Sequence, residues 1–259
     1  MARYNLVVPR ILLIFSFLAL VSLVSFKVGS LSDGSFYEMR VYYANPRKLD
    51  DLNARFRNHT TKLFEKHGMT NIGYWTPIDN PENKLIYVLS YPNRAARDQS
   101  WNDFMADPEW KKAAEASERE GKLVARVESV YMKKTDFSPR PAIKPMSKER
   151  VFELRTYTAK PGRLDDLLTR FRDHTVKLFT KHGMEHIEYW VPVDKEKGSD
   201  DTLIYILAHE SQKAGEEAFN KFREDKNWIK AKAASEANGP LTASVESVYM
   251  VPTDYSKIK

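Results

Sequence analysis

Residues 38–69 read EMRVYYANPRKLDDLNARFRNHTTKLFEKHGM, and residues 153–184 read ELRTYTAKPGRLDDLLTRFRDHTVKLFTKHGM. Aligned without a gap, residues 36–79 and 151–194 share 26 identities in 44 positions. After a three-residue insertion in the 194–202 loop, the match continues to VESVYM at 127–132 and 245–250. A repeat of roughly 115 residues is too long for a solenoid unit and has the size of a small domain. The sequence therefore predicts two similar domains, at 36–138 and 151–256, joined by a Pro-rich linker at 139–150.

The pattern within one repeat predicts the order strand, helix, strand, strand, helix, strand. In the first repeat the expected strands are 36–43, 71–76, 84–91 and 124–132, and the expected helices are 47–67 and 94–117, the latter broken near Asp107-Pro108. This βαββαβ order is the ferredoxin-like split arrangement, an α+β fold. Such a sheet has helices on one face only, and its other face must be covered. We therefore expect the two open faces to meet and form a pseudo-dimeric α/β barrel within one chain.

Alternation along the first strand divides its side chains between two faces. Glu38, Arg40 and Tyr42 share one face, and the residues between them share the other. Because helices need an apolar surface, we expect the face with Tyr37, Met39 and Val41 to lie under the helices. The Glu38 face, and that of Glu153 and Arg155 in the second repeat, would then line a partly polar cavity between the repeats.

The N-terminus has the pattern of an export signal. Arg3 and Arg10 precede an unbroken apolar run from Ile11 to Phe26, the order of a signal peptide's n-region and h-region. The run is slightly shorter than the roughly 17–25 residues that span a bilayer. We expect residues 1–30 to be a cleaved signal peptide or an uncleaved anchor. If they are an uncleaved anchor, we expect the protein to contact the membrane through residues 11–26 alone. Either predicts an exported protein, periplasmic or extracellular.

Composition excludes several classes of site. The chain has no Cys, which removes disulfides, zinc–thiolate sites and thiol nucleophiles. Its 41 Lys and Arg include three in residues 1–30, so the remainder carries 38 basic against 35 acidic residues, or +3. No basic stripe with interleaved aromatics is present, so we expect no nucleic-acid partner. The sequence also has no GxSxG elbow, no Gly-rich phosphate loop and no metal-ligand spacing.

Four histidines lie on the first helix of the two repeats. His59 and His174 follow a Phe by three residues and precede a Leu by four, so helical spacing predicts that they face the interior. Each is either a general base or axial metal ligand, or a core His bonded to a strand. His67 and His182 precede the glycines at the helix C-terminus, where a cation is favoured by the helix dipole.

Charged and aromatic residues kept in both repeats are further candidates for a ligand site. The pairs Glu38/Arg40 and Glu153/Arg155 are either a network that fixes how the halves dock or a clamp for an anion or carbonyl with a carboxylate base nearby. Glu128 and Glu246 on the closing strands could face the same interior. The aromatic residues shared by the two repeats either line an apolar pocket or belong to the core. They are Trp75, Tyr87, Trp190 and Tyr205.

These motifs together resemble NIPSNAP domains. The resemblance is carried by YEMRVY and FELRTY, by RFRxHTxKLFxKHGM, by YWxP and by VESVYMxxTD(F/Y)S, and it covers both repeats. It implies the dimeric α/β-barrel superfamily, whose members include small monooxygenases and haem-binding or haem-degrading proteins. The family is linked to vesicle trafficking and mitochondrial roles without an agreed chemistry, so no catalytic residue is carried over. The apolar leader favours a bacterial exported protein over a mitochondrial one.

Three functions follow as hypotheses. The first is binding of a small hydrophobic or aromatic ligand, haem among the candidates, in the barrel. The second is a cofactor-free oxygenase acting on such a ligand, and the third is an interaction module without small-molecule chemistry. A sealed Glu38–Arg40 network with a packed Trp75 would favour the third, whereas an open cavity with an unpaired Glu38 or a reachable His59 would favour the first two.

Overall fold

Each repeat forms the predicted elements in the predicted order. The computed structural model describes residues 36–139 and 150–259. The first repeat consists of β1 (Phe36–Ala44), α1 (Leu49–Arg55), a π turn (Phe56–Thr60), α2 (Thr61–Lys66), β2 (Thr70–Pro77), β3 (Lys84–Tyr91), α3 (Arg94–Ala106), α4 (Pro108–Ser117) and β4 (Val124–Lys134). The second consists of β5 (Val151–Ala159), α5 (Leu164–Arg170), a π turn (Phe171–Thr175), α6 (Val176–Lys181), β6 (Glu185–Pro192), a 3₁₀ turn (Lys195–Lys197), β7 (Thr202–His209), α7 (Gln212–Glu224), α8 (Lys226–Ser235) and β8 (Thr242–Pro252).

Local chemistry explains where the helices begin and end. The Asn93 side chain accepts a hydrogen bond from the backbone at the start of α3. Asp107 does the same for α4, with Pro108 at the first helical position, which is why the second helical region is broken there. Gly68 has a φ of 78°, the left-handed conformation that ends α2 and favours glycine.

The eight strands form one closed barrel in the order β1-β3-β2-β8-β5-β7-β6-β4, with every neighbouring pair antiparallel. The repeats join at β2–β8 and β4–β6, where three residue pairs are in register at each joint. This confirms the predicted fold of two βαββαβ repeats in a pseudo-dimeric α/β barrel. Because strand direction alternates around the ring, β1 and β5 run the same way, and equivalent residues of the two repeats lie at the same end of the barrel.

The predicted assignment of the strand faces is wrong. Tyr37, Met39 and Val41 belong to the apolar cluster inside the barrel, whereas Glu38 bonds Arg97 and Trp101 of α3 and therefore lies beneath the helices. In this barrel the lumen encloses one side of the sheet and the helices cover the other, and the apolar side of β1 faces the lumen. The charged side is tolerated under the helices because each buried charge there has partners.

Each repeat also extends a tail onto the other. After β4, Asp136 accepts two hydrogen bonds from Arg172, at 2.7 Å from Nε and 2.8 Å from Nη2, and the Phe137 ring lies 5.7 Å from that of Tyr189. After β8, Asp254 accepts two hydrogen bonds from Arg57 in the same way, at 2.6 Å from Nε and 2.8 Å from Nη2. The TD(F/Y)S segment is thus a reciprocal clasp between the repeats.

Among the described residues, no helix is both long and apolar enough to cross a bilayer. The predicted leader, residues 1–30, lies outside these residues, as do residues 140–149 of the linker. Export therefore stays a prediction.

Candidate functional site

Glu38 is the centre of a charged cluster under the helices of the first repeat. Its wholly buried carboxylate accepts hydrogen bonds from Arg40 Nη1 at 2.5 Å, from Arg97 Nε and Nη2 at 2.9 Å each, from Trp101 Nε1 at 3.1 Å and from the Tyr91 hydroxyl at 3.2 Å. Burial by itself raises the pKa of Glu38, but the hydrogen bonds and charges of Arg97 and Arg40 outweigh it and lower that pKa overall. All of these partners belong to the first repeat, so the network does not dock one half on the other.

The equivalent carboxylate of the second repeat has different partners. Glu153 accepts from Arg155 Nη1 at 2.6 Å and from the Ser247 hydroxyl at 2.6 Å, and it lies 2.9 Å from His209 Nε2. Gly215 stands where the first repeat has Arg97, and a Cβ there would come within 2.9 Å of the His209 ring. Burial opposes ionisation of Glu153, but its hydrogen bond with His209 and the charge of Arg155 lower its pKa overall. This cluster too is confined to its own repeat.

A cavity of about 390 Å³ lies beside the Glu38 cluster, between the outer side of the sheet and the helices of the first repeat. The residues that line it are Arg40, Tyr42, Arg55, Phe56, Thr60, Phe64, Arg97, Trp101, Phe104, Met105, Trp110, Glu118, Val124 and Val127. The Arg40 guanidinium lies 4.3 Å from the centre of the Trp101 ring, and that of Arg55 lies 5.1 Å from Trp110. Met105 and Val127 are exposed at its edge, at 54% and 41%. The cavity is therefore aromatic, cationic and open to solvent.

The two repeats differ at the wall of this cavity. By alignment, the positions of Trp101 and Met105 hold Phe219 and Arg223 in the second repeat. The first repeat therefore has the larger aromatic wall and an apolar rim.

The π turn positions three of the lining residues and corrects a prediction. Thr60 lies inside and its hydroxyl donates to the Arg55 carbonyl, five residues earlier, at 3.3 Å; Thr175 bonds the Arg170 carbonyl in the same way at 3.1 Å. The extra residue in the turn shifts the phase of the helix, so Thr60 takes the buried position expected for His59. His59 and His174 are exposed, and the prediction that they face the interior is wrong.

His67 and His182 connect helices. His67 Nε2 lies 2.6 Å from Asp107 Oδ2, and His182 Nε2 lies 2.8 Å from Asp225 Oδ2. Since each aspartate also caps the next helix, these histidines fasten the end of one helix to the start of another.

The predicted aromatic residues lie on two different sides of the sheet. Trp75 and Trp190 are wholly buried in the lumen cluster, with Trp75 at 5.6 Å from Phe152. Tyr87 and Tyr205 lie in the two helix-side cores, where burial raises the pKa of both hydroxyls far above the usual value. The middle of the lumen is thus occupied by contacting apolar side chains.

Glu128 and Glu246 do not share a face with Glu38. Glu128 lies opposite Val41, and Glu246 lies opposite Thr156, so both are on the lumen side, exposed at one end of the barrel. Glu246 borders a second cavity there, of about 320 Å³. The four glutamates therefore do not share one interior. Glu38 and Glu153 lie on the helix side of the sheet, and Glu128 and Glu246 lie on the lumen side.

Sequence reasoning missed several residues that the structure brings forward. Arg55 and Trp101 line the cavity, and Arg55 could have been noticed because Arg170 matches it in the second repeat. Glu188 is buried in the lumen 3.2 Å from Lys134 Nζ, where the first repeat has Gly73. The Gly73/Glu188 difference lies inside an IxYWxP segment that both repeats share, so the sequence alone could have marked Glu188 as unusual.

Two βαββαβ repeats that close one eight-stranded barrel define a duplicated, single-chain α/β-barrel protein. The NIPSNAP family model matches residues 37–139 and 152–257, and the chain belongs to the NIPSNAP family. The orangutan (Pongo abelii) Protein NipSnap homolog 3A is 25% identical over 236 residues, which cover 88% of this chain and 87% of that protein.

Solved structures share the fold over most of the chain. An anthrone oxidase-like protein superposes with a TM-score of 0.57 at 11% identity, covering 88% of this chain and 95% of that one. A putative monooxygenase from Lactobacillus acidophilus gives 0.55 at 10% identity, covering 85% and 94%. At these identities the similarity establishes the architecture and leaves the chemistry to this chain's own residues.

Proposed function

We propose that the protein binds a small hydrophobic or aromatic ligand in the cavity between the sheet and the helices of the first repeat. The observation that carries the proposal is the wall of this 390 Å³ cavity, where aromatic rings alternate with guanidinium groups. Small-molecule sites in proteins are concave, mostly apolar and about 300–1,000 Å³ in volume, with a few polar groups that fix orientation. The lumen, where the sequence predicts the site, is filled around Trp75 and Trp190.

The described residues favour binding over proton abstraction. A cofactor-free oxygenase needs a base within reach of its substrate, and the Glu38 carboxylate already accepts from four side chains. Haem would need an axial ligand such as His, and His59 borders grooves on the outer helix surface instead of this cavity. The cavity therefore supplies no histidine for a haem iron, and of the other residue types that can ligate it the lining holds Tyr42 and Met105.

An interaction module without a ligand is the second candidate. Its support is the sealed network around Glu38 and the packing of Trp75, which account for these residues as parts of the folded structure without a ligand. The two candidates differ in whether a compound occupies the helix-side cavity.

The test is native mass spectrometry of the chain purified from its own host, followed by fluorescence titration with naphthalene compounds. We expect one bound molecule per chain and quenching of Trp101 and Trp110. Val127→Trp should fill the cavity edge and weaken binding at least tenfold. Val245→Trp is the matched control, because Val245 is the equivalent residue and is equally exposed, at 42% against 41%. A chain without bound mass that also binds no probe would favour the interaction module.

A further inference from the structure

We infer that the ligand of this cavity is an anion, an aromatic or apolar compound that carries a carboxylate or another acidic group. The inference rests on the proposed function and names the ligand class of the same cavity. Its basis is the balance of charges and hydrogen-bonding groups in the wall, which differs from that of a neutral apolar pocket.

The wall has more cations than anions. Arg40, Arg55 and Arg97 line the cavity against one carboxylate, Glu118. Glu38 lies behind the wall and compensates one further charge, which leaves an excess of one cation. Asp98 bonds Arg97 from the solvent side, but its side chain is 57% exposed against 15% for Arg97. Water therefore screens the Asp98 charge more strongly than those of the arginines.

The wall also has more donors than acceptors. Each guanidinium has five N–H donors, yet Arg40 makes one strong bond, to Glu38, and a long one of 3.5 Å to the Tyr42 hydroxyl. Arg55 uses Nη1 for Glu118 and Ser117. The Nε atoms of Arg40 and Arg55 have no acceptor among the described residues, but they are buried, as are those of Arg155 and Arg170, so the donors that a ligand could reach are the Nη groups. Glu38 and Glu118 already bond arginines of the wall, so the wall presents a positive potential and N–H donors to a ligand. An ionised acid suits such a wall because it carries a negative charge and only accepts hydrogen bonds.

The rings define the rest of the ligand. Trp101 lies against Arg40 and Trp110 against Arg55, with Phe56, Phe64 and Phe104 in the adjoining core. Such layers of rings and guanidinium groups suit a flat apolar body whose acidic group contacts the arginines.

The experiment compares three probes of one shape: 1-naphthoate, 1-naphthamide and 1-naphthylmethylammonium. We expect the anion to bind at least about tenfold tighter than the amide, the size expected for a charged hydrogen bond, and the cation to bind weakest. The preference should shrink with added salt. Arg55→Gln should remove the preference for the anion by weakening 1-naphthoate binding much more than 1-naphthamide binding, and Arg55→Lys should restore part of the preference.

Arg170→Gln is the matched control, since Arg170 bonds Glu236 at 2.8 Å as Arg55 bonds Glu118 at 2.9 Å. It should lower stability to a similar degree and keep the preference for 1-naphthoate. Equal binding of the amide and the acid, or tightest binding of the cation, would overturn the inference and leave the proposed function standing. If none of the three probes binds and no bound mass is found, the proposed function itself fails.

Discussion

At the residue scale, Glu38 and Glu153 show how one carboxylate is stabilised in two ways. Glu38 is shared by two partly buried guanidinium groups, those of Arg40 and Arg97, whereas Glu153 pairs with Arg155 and bonds His209. Duplication kept the anion and let its surroundings diverge. The two sites should therefore respond differently to the same substitution.

Glu38→Gln should be the more damaging of the two changes. It leaves the partly buried Arg40 without its counter-ion and Arg97 with the exposed Asp98, and breaking a buried pair in this way costs about 3–5 kcal/mol. Glu153→Gln leaves one such arginine and should cost less. Urea unfolding followed by circular dichroism measures both free energies of unfolding. Equal losses would show that Arg97 does not depend on Glu38.

His186 stands where the first repeat has Asn71, so a titratable imidazole takes the place of an amide. Its Nδ1 lies 2.7 Å from the Tyr189 hydroxyl and its Nε2 lies 2.8 Å from that of Thr180. In the first repeat Asn71 accepts a hydrogen bond from Tyr74 at the same place. Burial lowers the pKa of His186, so the fold favours the neutral ring.

This arrangement predicts a stability that falls in mild acid. Because the folded pKa lies below the ordinary value of about 6.5, the unfolded chain binds more protons between the two values, and stability rises with pH there. The contribution is complete above about pH 6.5 and is lost as the pH falls through the folded pKa. His186→Asn should flatten the melting temperature between pH 7 and pH 5. His174→Asn, at an exposed histidine, should leave the profile as it is, and an unchanged profile in His186→Asn would contradict the assignment.

At the element scale, the π turn is the feature on which the cavity depends. A wide turn leaves a backbone carbonyl without its usual amide partner, and the Thr60 hydroxyl bonds that of Arg55. The second repeat has Thr175 at this position, but Val176 where the first has Thr61. The hydroxyl of Thr60 is therefore present in both repeats, whereas that of Thr61 is absent from the second repeat and is dispensable.

Thr60→Val should lower the free energy of unfolding by about 1–3 kcal/mol, the usual cost of a buried polar group without a partner. Thr61→Val should change it by less than about 0.5 kcal/mol, as the second repeat already carries valine there. Chemical denaturation of the two variants separates these outcomes. Because Arg55, Phe56 and Thr60 all border the cavity, Thr60→Val should also weaken binding of the naphthalene probes. If both valines are tolerated equally, the hydroxyl does not stabilise the π turn.

The elements themselves could be predicted from sequence, but their faces and the π turn could not. The sequence predicts strand 84–91 at its observed bounds because a Pro- and Asn-containing turn precedes it. The prediction reverses the faces of β1 because the lumen and the helices bury one side each, and alternation shows only which residues share a side. His59 was misplaced because spacing assumes 3.6 residues per turn. The cavity joins Arg55 and Trp101, far apart in sequence, so only tertiary packing reveals it.

At the scale of the whole molecule, the two repeats are one folding unit in spite of their sequence symmetry. They share the lumen cluster, which takes side chains from both, and two strand joints close the ring. The tails add reciprocal contacts, since Phe137 packs on the second repeat and Tyr255 packs 5.2 Å from Tyr74 of the first. None of these contacts passes through the linker at 140–149.

Cutting the linker should therefore leave the halves associated. With a specific protease site placed within residues 140–149, we expect the cleaved fragments to elute together at the mass of the whole chain in size-exclusion chromatography and native mass spectrometry. The linker contributes mainly an effective concentration on the order of millimolar, so its loss should make the melting temperature depend on protein concentration without opening the barrel.

The reciprocal tails supply the control for this experiment. Phe137→Ala together with Tyr255→Ala removes a ring contact from each clasp, and large-to-small changes of packed aromatics are costly. The uncut double variant should remain one folded chain, because the linker still holds its halves together, whereas the cut variant should separate on dilution. Separation of the cut wild-type halves at about 10 μM, well below the effective concentration that the linker provides, would instead mean that the joints and the lumen are too weak to hold the barrel closed without the linker.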